Sequence, residues 1–142
     1  MAVLDEKQEK GLDFIGNMMG EKYRQTMRET AEADAFASDV TRMALGFAFN
    51  DAWGREGIDR KSKSMVVIAA LITLRQSKEL KNHVKIGVQN GLTNSDLESI
   101  LVQLTPYLGF PCIASGTTDV IEALREIGRD PQVQTSEEKG LL

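Results

Sequence analysis

The chain is poor in the residues that build redox centres, metal sites and rigid loops. Among its 142 residues Cys112 is the only cysteine and His83 the only histidine. A single thiol excludes an internal disulfide framework, a Cys-x-x-Cys redox pair and a cysteine-rich zinc site. With one histidine and no acidic cluster near it, a transition-metal site would have to borrow ligands from another subunit. Proline is scarce and late: Pro106, Pro111 and Pro131 are the only three, so nothing before them breaks a helix by ring geometry. No stretch sustains the period-two alternation of a strand, and the one Asn-Gly pair, Asn90-Gly91, closes a helical pattern rather than a hairpin. Basic charge is not in excess. The 17 Lys and Arg face 21 Asp and Glu, a net −4 with no basic stripe, which argues against nucleic acid and against an anionic membrane surface as partners. The longest apolar run, residues 65–72, is far short of the ~20 residues that span a bilayer. The charged opening MAVLDEKQEKG lacks the apolar core of a signal peptide, so a cytoplasmic protein is expected.

What remains is helical pattern, in a length that suits one domain. Residues 5–19 are amphipathic although Gly11 and Gly16 interrupt them, and residues 21–31 form a second short helix. Phe36, Val40, Met43, Ala44 and Phe47 then share one helical face that runs on to Asp51, until WGREG (53–57) breaks it. Asp59 is placed to cap the next helix, whose residues 65–72 are apolar all round. Such a helix must be covered on every side. In so small a domain a subunit interface is the simplest cover, so a homo-oligomer is expected. Ser77 is placed to cap a helix over 79–90, with Gly91 as its left-handed stop. Thr93 and Asp96 have capping-box spacing, and Leu97, Ile100, Leu101 and Leu104 make the following stripe. Pro106 and Pro111 bracket YLGF as a bent connection. A last helix runs from 112 or 113 to 127, stopped by Gly128 and Pro131. The expected organisation is an all-α antiparallel bundle of six to seven helices over residues 1–128. Residues 129–142 form a polar tail, mobile unless a partner subunit holds it.

Chemistry concentrates in two places. On the 79–90 helix the apolar stripe is Leu80, Val84 and Val88, and His83 falls within it. Glu79 lies one turn earlier, while Lys81, Asn82 and Lys85 face water. An inward imidazole beside a carboxylate has its orientation fixed and its proton affinity raised, which suits a general acid or base. The alternative is an imidazole bonded to a backbone carbonyl with no further task. The second place is FNDAWGREGIDRKSK, which groups Asp51, Trp53, Arg55, Lys61 and Lys63 around two glycines. Cations beside an aromatic suit a small carboxylate ligand, which arginine binds bidentately; a solvated loop is the alternative. Cys112, after Pro111 at a helix start, is placed where a thiolate is favoured, though a buried inert thiol is the commoner case. Tyr107 offers a phenol to a pocket or a ring to the core.

Taken in order, these elements resemble the carboxymuconolactone decarboxylase family, of the alkyl hydroperoxidase D-like fold class. The resemblance rests on Trp53, Arg55, Gly57 and Ile58, the basic pair and apolar helix, Glu79-Leu80-x-x-His83, Gly91-Leu92-Thr93, and Tyr107-x-Gly109-x-Pro111. It covers about residues 10–127. It implies an all-helical subunit assembled into a ring, commonly a hexameric trimer of dimers, and a lyase that decarboxylates 4-carboxymuconolactone to the 3-oxoadipate enol-lactone in aromatic-compound degradation. It also implies that neither metal nor organic cofactor is needed. On this basis His83 and Glu79 are the catalytic candidates. Arg55, Trp53, Asp51, Lys63 and Tyr107 are the candidates for binding a small carboxylate substrate. The chain departs from the family pattern at Glu56, where Pro is usual, at Lys61 and Lys63, where Arg is usual, and at Cys112, where Ala is usual. The fold's redox branch uses a Cys-x-x-Cys-x-x-x-His motif that this chain lacks. Peroxidase chemistry would have to rest on Cys112 alone.

Overall fold

The computed structural model describes residues 1–141; Leu142, the last residue of the expected tail, lies outside them. The described residues form seven α-helices and one π-helical segment, with no strand among them. The all-α class expected from the residue pattern is the one observed. The chain divides into two compact units, Met1–Asp59 and Arg60–Leu142.

The first unit holds α1 (Glu6–Met19), α2 (Glu21–Glu32), α3 (Ser38–Met43) and the π-helical segment (Ala44–Trp53). Asp5 starts α1 with a capping box: its carboxylate accepts from the Gln8 backbone N–H at 2.9 Å, and the Gln8 side chain accepts from the Asp5 N–H at 2.9 Å. Two helix N–H groups that would otherwise be orphaned are thereby satisfied. Arg24 and Arg28 of α2 reach back to Asp13 and Glu9 of α1 at 2.7 and 2.5 Å. The core is Leu4, Leu12, Ala31 and Leu45, with Met27 and Phe49 packed on it.

Gly11, an apparent weakness in the sequence of α1, is buried and sits against the π-helical backbone. A Cβ there would lie 2.0 Å from the Leu45 carbonyl oxygen. The bond from Gly54 N–H to the Phe49 carbonyl, 2.9 Å, has the five-residue reach of π geometry. The expected apolar stripe on this stretch is corrected by the structure. Phe36, Val40, Met43 and Phe47 are exposed (103, 66, 71 and 72 %). The inward side is built instead on Leu45 and Phe49, because Gly11 brings α1 against the backbone at Leu45.

The second unit holds α4 (Arg60–Thr73), α5 (Ser77–Gln89), α6 (Asn94–Leu108) and α7 (Phe110–Glu126). Its core joins Ile68 and Ile72 of α4, Leu80 and Val84 of α5, Leu97 and Leu101 of α6, and Val120 and Leu124 of α7. The expected Thr93–Asp96 capping box forms, with bonds of 2.9 and 3.1 Å. Asp96 also pairs with Lys61 of α4 at 3.0 Å, which gives that cation at a helix N-terminus its reason. Ser77 does not cap α5. The cap position is Gln76, without a side-chain bond, and the Ser77 hydroxyl donates to Asp119 of α7 at 2.6 Å instead. Lys81 and Lys85 do not simply face water. They pair with Glu122 and Glu126 one helix over, fastening α5 to α7. The bent YLGF connection shrinks to Gly109 alone (φ 82°): α6 runs through Pro106, and α7 starts at Phe110. The apolar run 65–72 buries Ile68 and Ile72 while Val66 stays 60 % exposed.

Three helix ends in this unit are Schellman motifs, with a 6→1 and a 5→2 bond each. They close through Gln76, Leu92 and Arg129 N–H to the carbonyls of Leu71, Gly87 and Leu124, at 2.8 to 3.0 Å. Gly91 and Gly128 supply the left-handed residue in two of them; in the third it is Arg75, at φ 55°. Glycine takes that conformation without strain, whereas an L side chain pays ~1 kcal/mol or more. The C-terminal segment folds back on its own chain. Arg125 of α7 holds Glu138 at 2.6 and 3.0 Å and the Val133 carbonyl at 2.7 Å, and Thr135 is buried.

The Gly11 contact leads to a prediction opposite to helix propensity. Gly11→Ala adds a better helix former yet overpacks backbone against backbone. A loss of about 1–3 kcal/mol is expected in urea denaturation, against a gain of up to ~1 kcal/mol at an open helical site.

Candidate active site

His83 is carried on the core-facing side of α5. Leu80, Val84, Ile86 and Gly87 of this helix are buried. Gly87, one turn after His83 on the same face, explains how closely this face packs. A Cβ there would meet Leu92 Cδ1 at 2.6 Å and Ile68 Cδ1 at 3.2 Å. The imidazole is accordingly half-buried, with Nδ1 shielded from solvent. Glu79 stands one turn earlier and is exposed.

The electrostatics correct the expectation of a raised proton affinity. Burial disfavours the imidazolium and pushes the His83 pKa below its ordinary 6.5; the Glu79 carboxylate acts in the opposite direction and is outweighed. The reason is dielectric. Glu79 lies in water, where its field is screened, whereas the imidazole has lost much of its hydration. His83 is therefore a neutral imidazole at pH 7, able to donate a hydrogen bond from one nitrogen and accept at the other.

The other candidates are spread over both units. Trp53 ends the π-helical segment and is buried, 9 % exposed. Asp51, half-buried in the same segment, is engaged: Lys7 of α1 pairs with it at 3.0 Å and Asn50 donates to it at 2.7 Å. The Lys7 bond holds its carboxyl below the ordinary range. Arg55 is exposed on the turn after Trp53, and Lys63 lies half-buried in the first turn of α4. Tyr107, expected in a pocket or the core, is 76 % exposed near the end of α6. Cys112 is buried, and its thiol donates to the Ile72 carbonyl at 3.2 Å.

Sequence reading missed one polar contact near this helix. Ser64 is wholly buried and receives a hydrogen bond from Asn90 Nδ2 at 3.0 Å, which ties the end of α5 to α4. A serine before an apolar run gave no sign of it. Among the described residues no helix is long and apolar enough to cross a membrane.

Residues 38–117 match the model of the carboxymuconolactone decarboxylase family, and the chain belongs to that family. All eight candidate residues fall inside the matched segment. The chain is 26 % identical over 128 residues to the 4-carboxymuconolactone decarboxylase of Acinetobacter baylyi, covering 90 % of this chain and 94 % of that protein. It is 24 % identical over 106 residues to the nitrosuccinic acid decarboxylase of Metarhizium robertsii, covering 74 % and 73 %. Family and relatives together indicate a decarboxylase kind of activity.

The depressed His83 pKa has a consequence for stability. Below pH 6.5 the unfolded chain takes up a proton that the folded chain accepts only at lower pH. The unfolded state then binds more protons, so stability falls on acidification and recovers as pH rises through that value. In His83→Gln the denaturation midpoint should lose part of its slope between roughly pH 7 and 5. Chemical denaturation across that range measures it.

Proposed function

We propose that this protein is a cofactor-free decarboxylase of a small unsaturated lactone or related carboxylate, with 4-carboxymuconolactone the first substrate to test. The observation that carries the reading is His83: a half-buried imidazole kept neutral, with Glu79 one turn before it, inside the family-matched segment. Breaking the bond between ring carbon and carboxylate releases carbon dioxide. The bonding pair passes into the unsaturated lactone, and negative charge gathers on oxygen. A proton added at carbon then completes the reaction. A donor aimed at that oxygen in a partly dehydrated site lowers the barrier, because it stabilises charge that exists only as the bond breaks. The neutral His83 N–H fills this role, and the imidazole relays the proton to carbon, recovering it from water. Glu79 biases the ring's orientation and tautomer. Arg55 binds a carboxylate of the substrate through its bidentate fork, with Trp53, Lys63 and Tyr107 as further binding residues, while the Asp51 carboxylate stays on Lys7. Nitrosuccinate, which the second relative's name specifies, is the alternative substrate. The lactone differs from it by a delocalised ring that takes up the electron pair.

The same reading includes a cytoplasmic homo-oligomer, with a trimer of dimers as the expected form. Its support is the exposed apolar side chains Phe36, Val40, Met43 and Phe47 in one unit and Val66 in the other. Light scattering on the purified chain should give a multiple of the chain mass; a monomer at micromolar concentration removes this part.

Ultraviolet loss of 4-carboxymuconolactone and release of carbon dioxide test the chemistry. His83→Ala should lower kcat by about 10²–10⁴-fold. Arg55→Lys should act mainly on KM, raising it roughly tenfold or more. Equal rates in wild type and His83→Ala would overturn the assignment of His83. No turnover of either substrate by the wild type would overturn the substrate class.

A further inference from the structure

A cavity of about 200 Å³ lies within the second unit, where the end of α4, the start of α5, α7 and the C-terminal segment meet. His83 and Glu79 do not line it, so it stands apart from the decarboxylase reading. One wall carries Arg75, the left-handed residue of the α4 Schellman motif. The equivalent position is glycine at the ends of α5 and α7, so α4 accepts backbone strain to hold an arginine there. Its guanidinium has no hydrogen bond or ion pair among the described residues.

Facing the same space are two carboxylates. Asp119 Oδ1 accepts from the Ser77 hydroxyl at 2.6 Å, and Glu137 Oε2, from the C-terminal segment, accepts from Thr118 at 2.8 Å. Each thus has one oxygen engaged by a hydroxyl. Neither carboxylate forms an ion pair with Arg75 among the described residues, although all three line one cavity. The remaining lining is Leu71, Ile72, Leu80 and Gly116, with the Cys112 thiol and Ser115.

We propose that this cavity binds a small α-amino acid with a short aliphatic side chain. Its carboxylate is taken bidentately by Arg75. Its ammonium is held between Asp119 and Glu137, and its hydrocarbon lies on Leu71, Ile72 and Leu80. A simple anion meets two negative groups for one positive, and a simple amine leaves the arginine unanswered; only a ligand carrying both charges satisfies the set. The volume is below the ~300 Å³ at which drug-sized pockets begin, which restricts the ligand to a few heavy atoms. Because Glu137 belongs to the C-terminal segment, the bound ligand also fastens that segment over Cys112.

Calorimetric titration of the full-length protein tests this, with alanine, valine and leucine as probes and isovalerate and isobutylamine as single-charge controls. Saturable binding of at least one amino acid is expected, at least tenfold tighter than either control. The same amino acid should slow alkylation of Cys112 by iodoacetamide. Arg75→Gln and Asp119→Asn should each weaken binding tenfold or more, with circular dichroism confirming the helical fold. Arg75→Lys, which keeps the charge and loses the fork, should weaken it as well and serves if Arg75→Gln fails to fold. No saturable binding by any of the amino acids up to about 10 mM, a range that reports even millimolar affinities, overturns the proposal. So does equal binding of isovalerate or isobutylamine, or binding unchanged by these substitutions.

Discussion

Close approach between helices at buried glycines is the constraint on which both units depend. In the first unit Gly11 lets α1 meet the backbone at Leu45, where a Cβ would lie 2.0 Å from the carbonyl oxygen. That contact selects Leu45 and Phe49 as the inward residues and turns the more conspicuous stripe of Phe36, Val40, Met43 and Phe47 outward. In the second unit Gly87 admits Leu92 and Ile68 against α5. Packing so tight leaves little room to adjust, because interiors are filled like crystals rather than like oil. The position of His83 follows from it: a residue one turn from such a contact is carried into the packed face whether or not a charged group belongs there.

The electrostatic character of His83 is then a contest between burial and one carboxylate, which burial wins. The outcome reverses the simplest reading of a Glu-x-x-x-His pair and changes its chemistry. A protonated imidazole would be a cation and an acid; a neutral one is a hydrogen-bond donor that answers charge as it develops. For the proposed reaction, whose substrate is already an anion, a neutral donor can favour the transition state without binding the ground-state charge equally well. Asp51 is the contrasting case. It is paired with Lys7 and Asn50, so its carboxylate is committed to holding α1 and the π-helical segment together.

Charged residues in the second unit divide similarly into fasteners and uncommitted groups. Lys61 with Asp96, Lys81 with Glu122 and Lys85 with Glu126 each join two helices, and Arg125 ties down the C-terminal segment. These are partly exposed pairs, worth little individually, and they set register more than stability. Arg75 is different, because it occupies a strained position and faces a cavity with no such task among the described residues.

Much of the fold was legible in the chain. Scarce proline, the 3.6-residue periodicity, the Thr93–Asp96 box and the glycines at 91 and 128 mark helices and their ends, because these signals act within a few residues. The candidate site was legible as residue types in order: spacing set His83 and Glu79 on one helical face, and the family resemblance joined Trp53, Arg55 and Tyr107 to them. Their surroundings were not. Whether a stripe faces in or out, as at Phe47, depends on which backbone a distant glycine admits. Ser77 had the identity of a cap but found Asp119, 42 residues away, and Lys81 found Glu122. The lowered affinity of His83 for its proton is likewise a property of everything packed around it. Local bonding and periodicity belong to the sequence because they span a turn or two of helix. Burial, ion pairing and the charge state of the imidazole belong to the tertiary structure, because desolvation and Coulomb energy depend on neighbours in space and not on order along the chain.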